Sequence, residues 1–171
     1  MSASRTSSAA CAVLAVLCAC SFLISPAVAV NMTYYAPTAE VDAKFATWIT
    51  AFYTAAEATD PSTEGYSDFF SANATIDLGG WNPAQDVADG LTHYPTTTSI
   101  LTDNCTEKTF NLQGLTKGYY ENNTCEVDSY GTQFTIAKAA NGRVELTPRS
   151  GSLVFLNLIG QNLSSMLCDA F

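Results

Sequence analysis

An α+β domain, helices first and antiparallel strands after, is the fold class this sequence predicts, and three observations predict it. Residues Val41, Phe45, Trp48, Ile49, Phe52, Tyr53 and Ala56 recur at i, i+4, i+7, i+8, i+11, i+12 and i+15, the one-sided stripe of an amphipathic helix. Beyond His93-Tyr94-Pro95, β-branched and aromatic residues alternate with polar ones, as they do along strands. Asn141-Gly142 stands between two such runs; it is the dipeptide a tight hairpin turn selects, because its central positions need positive φ.

The chain starts with a leader. A polar start carrying Arg5 is followed by a 14-residue apolar run, Cys11 to Ile24, and then by Ser25-Pro26-Ala27-Val28-Ala29. Ala27 and Ala29 form an A-x-A cleavage site. The run falls short of the roughly 20 apolar residues a membrane-spanning helix needs. Residues 1–29 therefore read as a cleaved signal peptide, and residues 30–171 as one domain secreted without a membrane anchor.

The first helix is expected to start at a Thr38 cap, with Glu40 and Asp42 at its positive end, and to stop near Thr59. Asp60-Pro61 reads as an N-cap followed by proline at the first position of a shorter second helix that buries Tyr66, Phe69 and Phe70. Ala74 to Leu78 alternates as a strand, Ile76 and Leu78 on one face and Thr75 and Asp77 on the other, before Gly79-Gly80 breaks it. Asn82-Pro83 opens a third helical piece from Pro83 to Asp89. Strands are expected at Thr96 to Leu101, Thr106 to Leu112, Lys117 to Glu121, Val127 to Ala139, Arg143 to Thr147 and Leu153 to Ile159. The second and third of these fold back on each other about Gln113-Gly114-Leu115.

Charge narrows the partners. Seven Lys+Arg face 16 Asp+Glu, a formal net charge of −9, which leaves too few basic groups to neutralise phosphates or an anionic membrane. Nucleic acid is thus not an expected partner. Five N-x-S/T sequons, at Asn31, Asn73, Asn104, Asn122 and Asn162, agree with passage through a secretory pathway and mark glycosylation sites. Cys105, Cys125 and Cys168 remain after the leader, and folding at Leu115 would set Cys105 opposite Cys125 as a disulfide, leaving Cys168 as a free or an intermolecular thiol. With one histidine in the chain, neither a zinc site nor any other metal or cofactor is expected.

The helical stretch Phe45-Ala-Thr-Trp48-Ile49-Thr-Ala-Phe52-Tyr53 resembles the first helix of the NTF2-like superfamily, and of its SnoaL-like members in particular. Tyr66-Ser-Asp-Phe69-Phe70-Ser-Ala-Asn73-Ala74-Thr75-Ile76 resembles the family's second helix running into the first strand. The resemblance covers about residues 39 to 80. It implies a cone, a curved sheet wrapped round a helix, with an apolar pocket at its open end. Members include isomerases, cyclases and dehydratases acting on small hydrophobic molecules, and also binders without chemistry. Asn73 stands where such proteins often carry an acidic residue, and the loop holding Pro83 to Gly90 is short.

Three functional readings follow. A binder of a small hydrophobic molecule, monomeric or homodimeric, would line its pocket with Trp48, Phe52, Tyr53, Tyr66 and Trp81, the tyrosine hydroxyls fixing a polar group. An isomerase, cyclase or dehydratase would use His93, whose ordinary pKa suits proton transfer near neutral pH, with Asp77 as the second group. A non-enzymatic extracellular interaction protein is compatible with the acidity and the sequons. The bland alternatives stand beside them: aromatics at helical spacing are core, a lone histidine beside Tyr94-Pro95 is a turn residue, and Asp77 faces solvent.

Overall fold

The computed structural model describes residues 29–58, 65–79, 90–119 and 125–164. One helix, α1 (Lys44–Ala56), is followed by a short 3₁₀ turn (Ser67–Phe69) and five strands: β1 (Phe70–Asp77), β2 (Gly90–Asp103), β3 (Glu107–Tyr119), β4 (Cys125–Ala137) and β5 (Leu153–Ser164). They form a single mixed sheet in the order β1-β5-β4-β3-β2. β1 runs parallel to β5, and all other neighbours are antiparallel. The α+β class holds. Of the expected helices, one is present among the described residues, and Pro83 to Asp89 lies outside them.

Helix α1 forms where the apolar spacing is tightest, and it starts six residues later than the sequence predicts. Thr38 does not cap it. Its N–H donates to the Thr98 carbonyl and its own carbonyl accepts from Val41, so residues 38–41 turn beside β2 first. Asp42 then supplies the terminal acceptor, its Oδ1 taking the Lys44 N–H at 2.9 Å. The start of the expected second helix, Asp60-Pro61, lies outside the described residues; its described end is one 3₁₀ turn, Ser67–Phe69, after which Phe70 is extended and opens β1.

Strand β3 is one unbroken element, which corrects the turn expected at Gln113-Gly114-Leu115. Gly114 is there to make room. A Cβ on it would stand 2.8 Å from the Tyr130 ring and 2.6 Å from the Tyr94 carbonyl oxygen. The glycine serves close packing of β2, β3 and β4 rather than a reversal. The expected strand from Arg143 to Thr147 contracts to a bridge between Lys138 and Val144. The Asn141-Gly142 turn does form: Gly142 (φ 76°) donates to Ala139, and Ala139 donates to Arg143, a three-residue hairpin loop with glycine in the left-handed position.

The Cys105–Cys125 disulfide is corrected by the same register. Glu107 pairs with Ala137 at one end of β3 and Tyr119 with Cys125 at the other, so about 40 Å of strand lies between the two cysteines at roughly 3.3 Å per residue. A disulfide needs α-carbons within about 6.8 Å. Cys105 is a free, exposed thiol in the β2–β3 turn, while Cys125 is disulfide-bonded.

The core lies between α1 and the inner face of the sheet. Phe134 on β4 is its hub, meeting the rings of Trp48 at 5.5 Å, Phe52 at 5.3 Å, Phe45 at 6.2 Å and Tyr53 at 6.4 Å. Phe110, Leu112, Ile136, Leu153 and Leu156 complete the sheet side. The β2 edge is bordered by the N-terminal segment, whose Asn31, Ala36 and Thr38 amides donate to His93, Thr96 and Thr98, and whose Ala29 carbonyl accepts from the His93 amide. Register shifts at Pro95/Thr97 and Ile100/Thr102 on β2 and at Tyr130/Gly131 between β4 and β5 are the bulges by which strands bend.

Candidate functional site

The inner face changes character along β4. Phe134 and Ile136 are apolar, but the next residues on that face, Thr132, Tyr130 and Asp128, are polar, since every second residue of a strand shares a face. Across β3 their partners are Leu112, Gly114 and Thr116, and Thr116 pairs in turn with His93 on β2. His93 therefore belongs to the inner face, at the end covered by the last turn of α1. Glu57, the residue that closes the helix, reaches it: Glu57 Oε1 lies 2.9 Å from His93 Nε2.

Two aromatic rings hold the imidazole. Tyr53 stacks on it at 3.9 Å with planes 11° apart, and Tyr130 meets it edge-on at 5.5 Å and 88°. With Nε2–H donating to the Glu57 carboxylate, Nδ1 is left as a lone-pair acceptor, the tautomer logic of an oriented histidine. Among the described residues that Nδ1 is buried with no hydrogen-bond partner, and so are the Tyr53 and Tyr130 hydroxyls and Thr132 Oγ1. Tyr130 and Thr132 both lie close enough to Tyr53 to affect its ionisation, yet none of the three hydroxyls forms a hydrogen bond of good geometry.

Burial sets the protonation state of the phenols. It pushes Tyr53 well above its ordinary value, with the neighbouring Tyr130 and Glu57 adding to the effect, and it raises Tyr130 as well. Both remain protonated hydrogen-bond donors through the physiological range. Tyr66 is raised to about 12, by burial and then by Glu57. The interior thus offers two phenolic donors, a threonine hydroxyl and an imidazole acceptor, next to an aromatic wall. Buried polar atoms left unpaired cost free energy of about 1–3 kcal/mol each, so such a cluster calls for a partner that supplies what the protein omits.

The sequence candidates distribute as follows. Trp48, Phe52 and Tyr53 are core residues, Trp48 fully buried against Phe69 and Phe134. Tyr66 is half-buried against Phe52 and Phe70. Trp81 and Asn122 lie outside the described residues. His93 and Asp77 are not brought together. Asp77 is exposed on the outer face of β1, in register with Asn157, and its Oδ1 accepts the Gly79 N–H at 3.0 Å. It stands at the opposite edge of the sheet from β2, four strand spacings or about 19 Å away, and cannot share a proton-transfer site with His93.

Among the sequons, Asn73 and Asn104 are exposed, and Asn31 is half-buried with its Oδ1 accepting the Thr33 N–H. Asn104 caps the β2–β3 turn through Oδ1, which accepts from Thr106 N, Thr106 Oγ1 and Glu107 N. This leaves its Nδ2 for a glycan. Asn162 falls within β5, opposite Ser129.

Glu57, Tyr130 and Thr132 were not singled out from sequence, although a signal existed. Glu57 follows Tyr53 by four residues and so continues the buried helix face with a carboxylate. Tyr130 and Thr132 continue the Phe134/Ile136 alternation with polar groups. A polar residue at a core-face position is the informative exception.

A concavity lies at the other end of the sheet from the polar cluster. It is a groove of about 650 Å³ whose lining includes Lys44, Asp103, Lys108, Lys138, Arg143 and Glu145. Asp103 bridges Lys108 and Lys138, which hold its carboxyl below the usual range. Its charges are mutually paired or mixed, so they select no ligand. Among the described residues, none of the predicted pocket aromatics lines it. Among the described residues no helix is long and apolar enough to cross a membrane, and no three His, Cys, Asp or Glu side chains converge as a metal site would require. Neither a protein-family model nor a curated protein sequence matches this chain.

Proposed function

We propose that this chain is a secreted, glycosylated binder of a small, largely hydrophobic molecule, built on an NTF2-like cone and acting as a monomer or homodimer without nucleic acid, metal or cofactor. One observation carries the reading: the Tyr53, Tyr130 and Thr132 hydroxyls and His93 Nδ1 are buried without partners beside an aromatic wall. A ligand with an apolar body and one oxygen-bearing polar group satisfies both halves of such a site. Helix α1, packed on the inner face of a bulged five-stranded sheet, supports the cone. Native mass spectrometry of the secreted, deglycosylated protein tests it: the expected result is a co-purifying small molecule that the Tyr130→Phe variant retains less well. Protein of apo mass only, for wild type and variant alike, would contradict it.

The His93–Glu57 pair favours one second reading, a cofactor-independent isomerase, cyclase or dehydratase. Glu57 takes the place that the sequence offered to Asp77. It would orient the imidazole while Nδ1 accepts a proton from bound substrate, and the phenols would donate to the oxygen on which charge develops. Loss of turnover in both His93→Gln and Glu57→Gln with ligand binding retained is the outcome that separates this reading from simple binding.

A further inference from the structure

Cysteine accounting leaves one bond to be completed. The sequence holds six cysteines, at 11, 18, 20, 105, 125 and 168. Cys125 is disulfide-bonded, and Cys105 is free at the far end of the sheet. Cys11, Cys18 and Cys20 fall in the segment read as a removed leader. The strand register then points to the partner. Val127 pairs with Ser164, the last residue of β5, so β5 ends beside the start of β4, two residues from Cys125. Cys168 follows Ser164 by four positions, a reach of up to about 14 Å, enough to place a second sulfur beside the first.

We infer that Cys125 and Cys168 form the structural disulfide of this protein, and that Cys105 is left as its free thiol. The inference rests on the reading of the chain as secreted, since an oxidising compartment is needed to keep the bond. In forming it the two thiols lose two protons and two electrons; a disulfide donor of the secretory compartment accepts them and leaves as two thiols, one S–S bond exchanged for another. The ring so closed contains β4 and β5. It therefore ties the C-terminal tail to the strand that carries Tyr130 and Thr132, at the same end of the sheet as His93.

Peptide mapping of the full secreted chain, deglycosylated and alkylated without reduction, tests the pairing. Trypsin should release residues 118–138 joined to residues 150–171, with the alkyl label on Cys105 alone. In Cys168→Ser, Cys125 should become fully labelled and the melting temperature should fall, whereas Cys105→Ser should leave the linked peptide unchanged. Label on Cys168, a Cys105–Cys125 link, or a covalent dimer through Cys125 or Cys168 overturns the pairing while leaving secretion intact. Label on all three cysteines of the secreted protein overturns the pairing and the oxidising-compartment reading together.

Discussion

Glu57 and His93 stand 36 residues apart in sequence, yet Oε1 of the first lies 2.9 Å from Nε2 of the second. The bond joins the end of α1 to the edge strand β2, so it is both a structural clasp and the element that fixes the imidazole. Both side chains are largely withdrawn from water. Glu57→Ala strands a buried ring nitrogen and is expected to cost about 1–3 kcal/mol. Glu57→Gln, which keeps an acceptor, should cost less. Urea unfolding of the two variants checks the order, and equal stabilities would remove the clasp.

Gly114 should not tolerate a methyl group. Its Cβ would meet the Tyr94 carbonyl oxygen at 2.6 Å and the Tyr130 ring at 2.8 Å, and the first of these is backbone that cannot swing away. Gly114→Ala is expected to destabilise by about 1–3 kcal/mol, the usual cost of overpacking, and to displace Tyr130. Near-ultraviolet circular dichroism reports the tyrosine environment; an unchanged spectrum and midpoint would refute the packing described.

Phe134 is the side chain on which the core converges, so Phe134→Ala is expected to cost about 3–5 kcal/mol. Leu101→Ala is the matched control, because Leu101 is 54% exposed and surface substitutions usually stay within about 0.5 kcal/mol. Thermal unfolding of both variants gives the comparison. Similar losses would mean that the aromatic cluster is not the load on which the fold depends.

Alkaline pH should unfold the protein through its phenols. Tyr53, Tyr66 and Tyr130 have folded-state values raised above the ordinary tyrosine value of about 10, chiefly by burial. In the unfolded chain each loses its proton first, so the folded state binds more protons above pH 10. The stability they lend is therefore complete below pH 10 and declines as pH rises, through about 12 for Tyr66 and through the raised values of the other two. Denaturant midpoints measured from pH 8 to 12 should be flat and then fall, and Tyr66→Phe should shrink the fall.

What was legible in the sequence is the part with a strong period. The α1 stripe from Phe45 to Tyr53 sits on the core as read, and the alternation places β4 within two residues at each end, whereas β2 begins six residues before the expected Thr96 and β5 runs five beyond the expected Ile159. Gly114 was misread because a glycine in a strand signals either a turn or a close approach, and nothing local distinguishes them; the deciding atom belongs to Tyr130, sixteen residues on. That one misreading produced the wrong disulfide. His93 was legible as the chain's only histidine, but its partner was not. Asp77 is a carboxylate on a strand, like many exposed ones, whereas Glu57 acquires its role only when the helix end is laid over β2.

The central claim is that the polar cluster on the inner face completes its hydrogen bonds with a ligand. A high-resolution crystal structure of the protein purified from its secretion medium tests this most directly. The account predicts continuous density for a small molecule, with a polar atom within about 3.2 Å of the Tyr53 or Tyr130 hydroxyl, Thr132 Oγ1 or His93 Nδ1. Ordered waters alone on those atoms, or a direct Tyr53–Tyr130–Thr132 hydrogen-bonded chain with no density beside it, would contradict it.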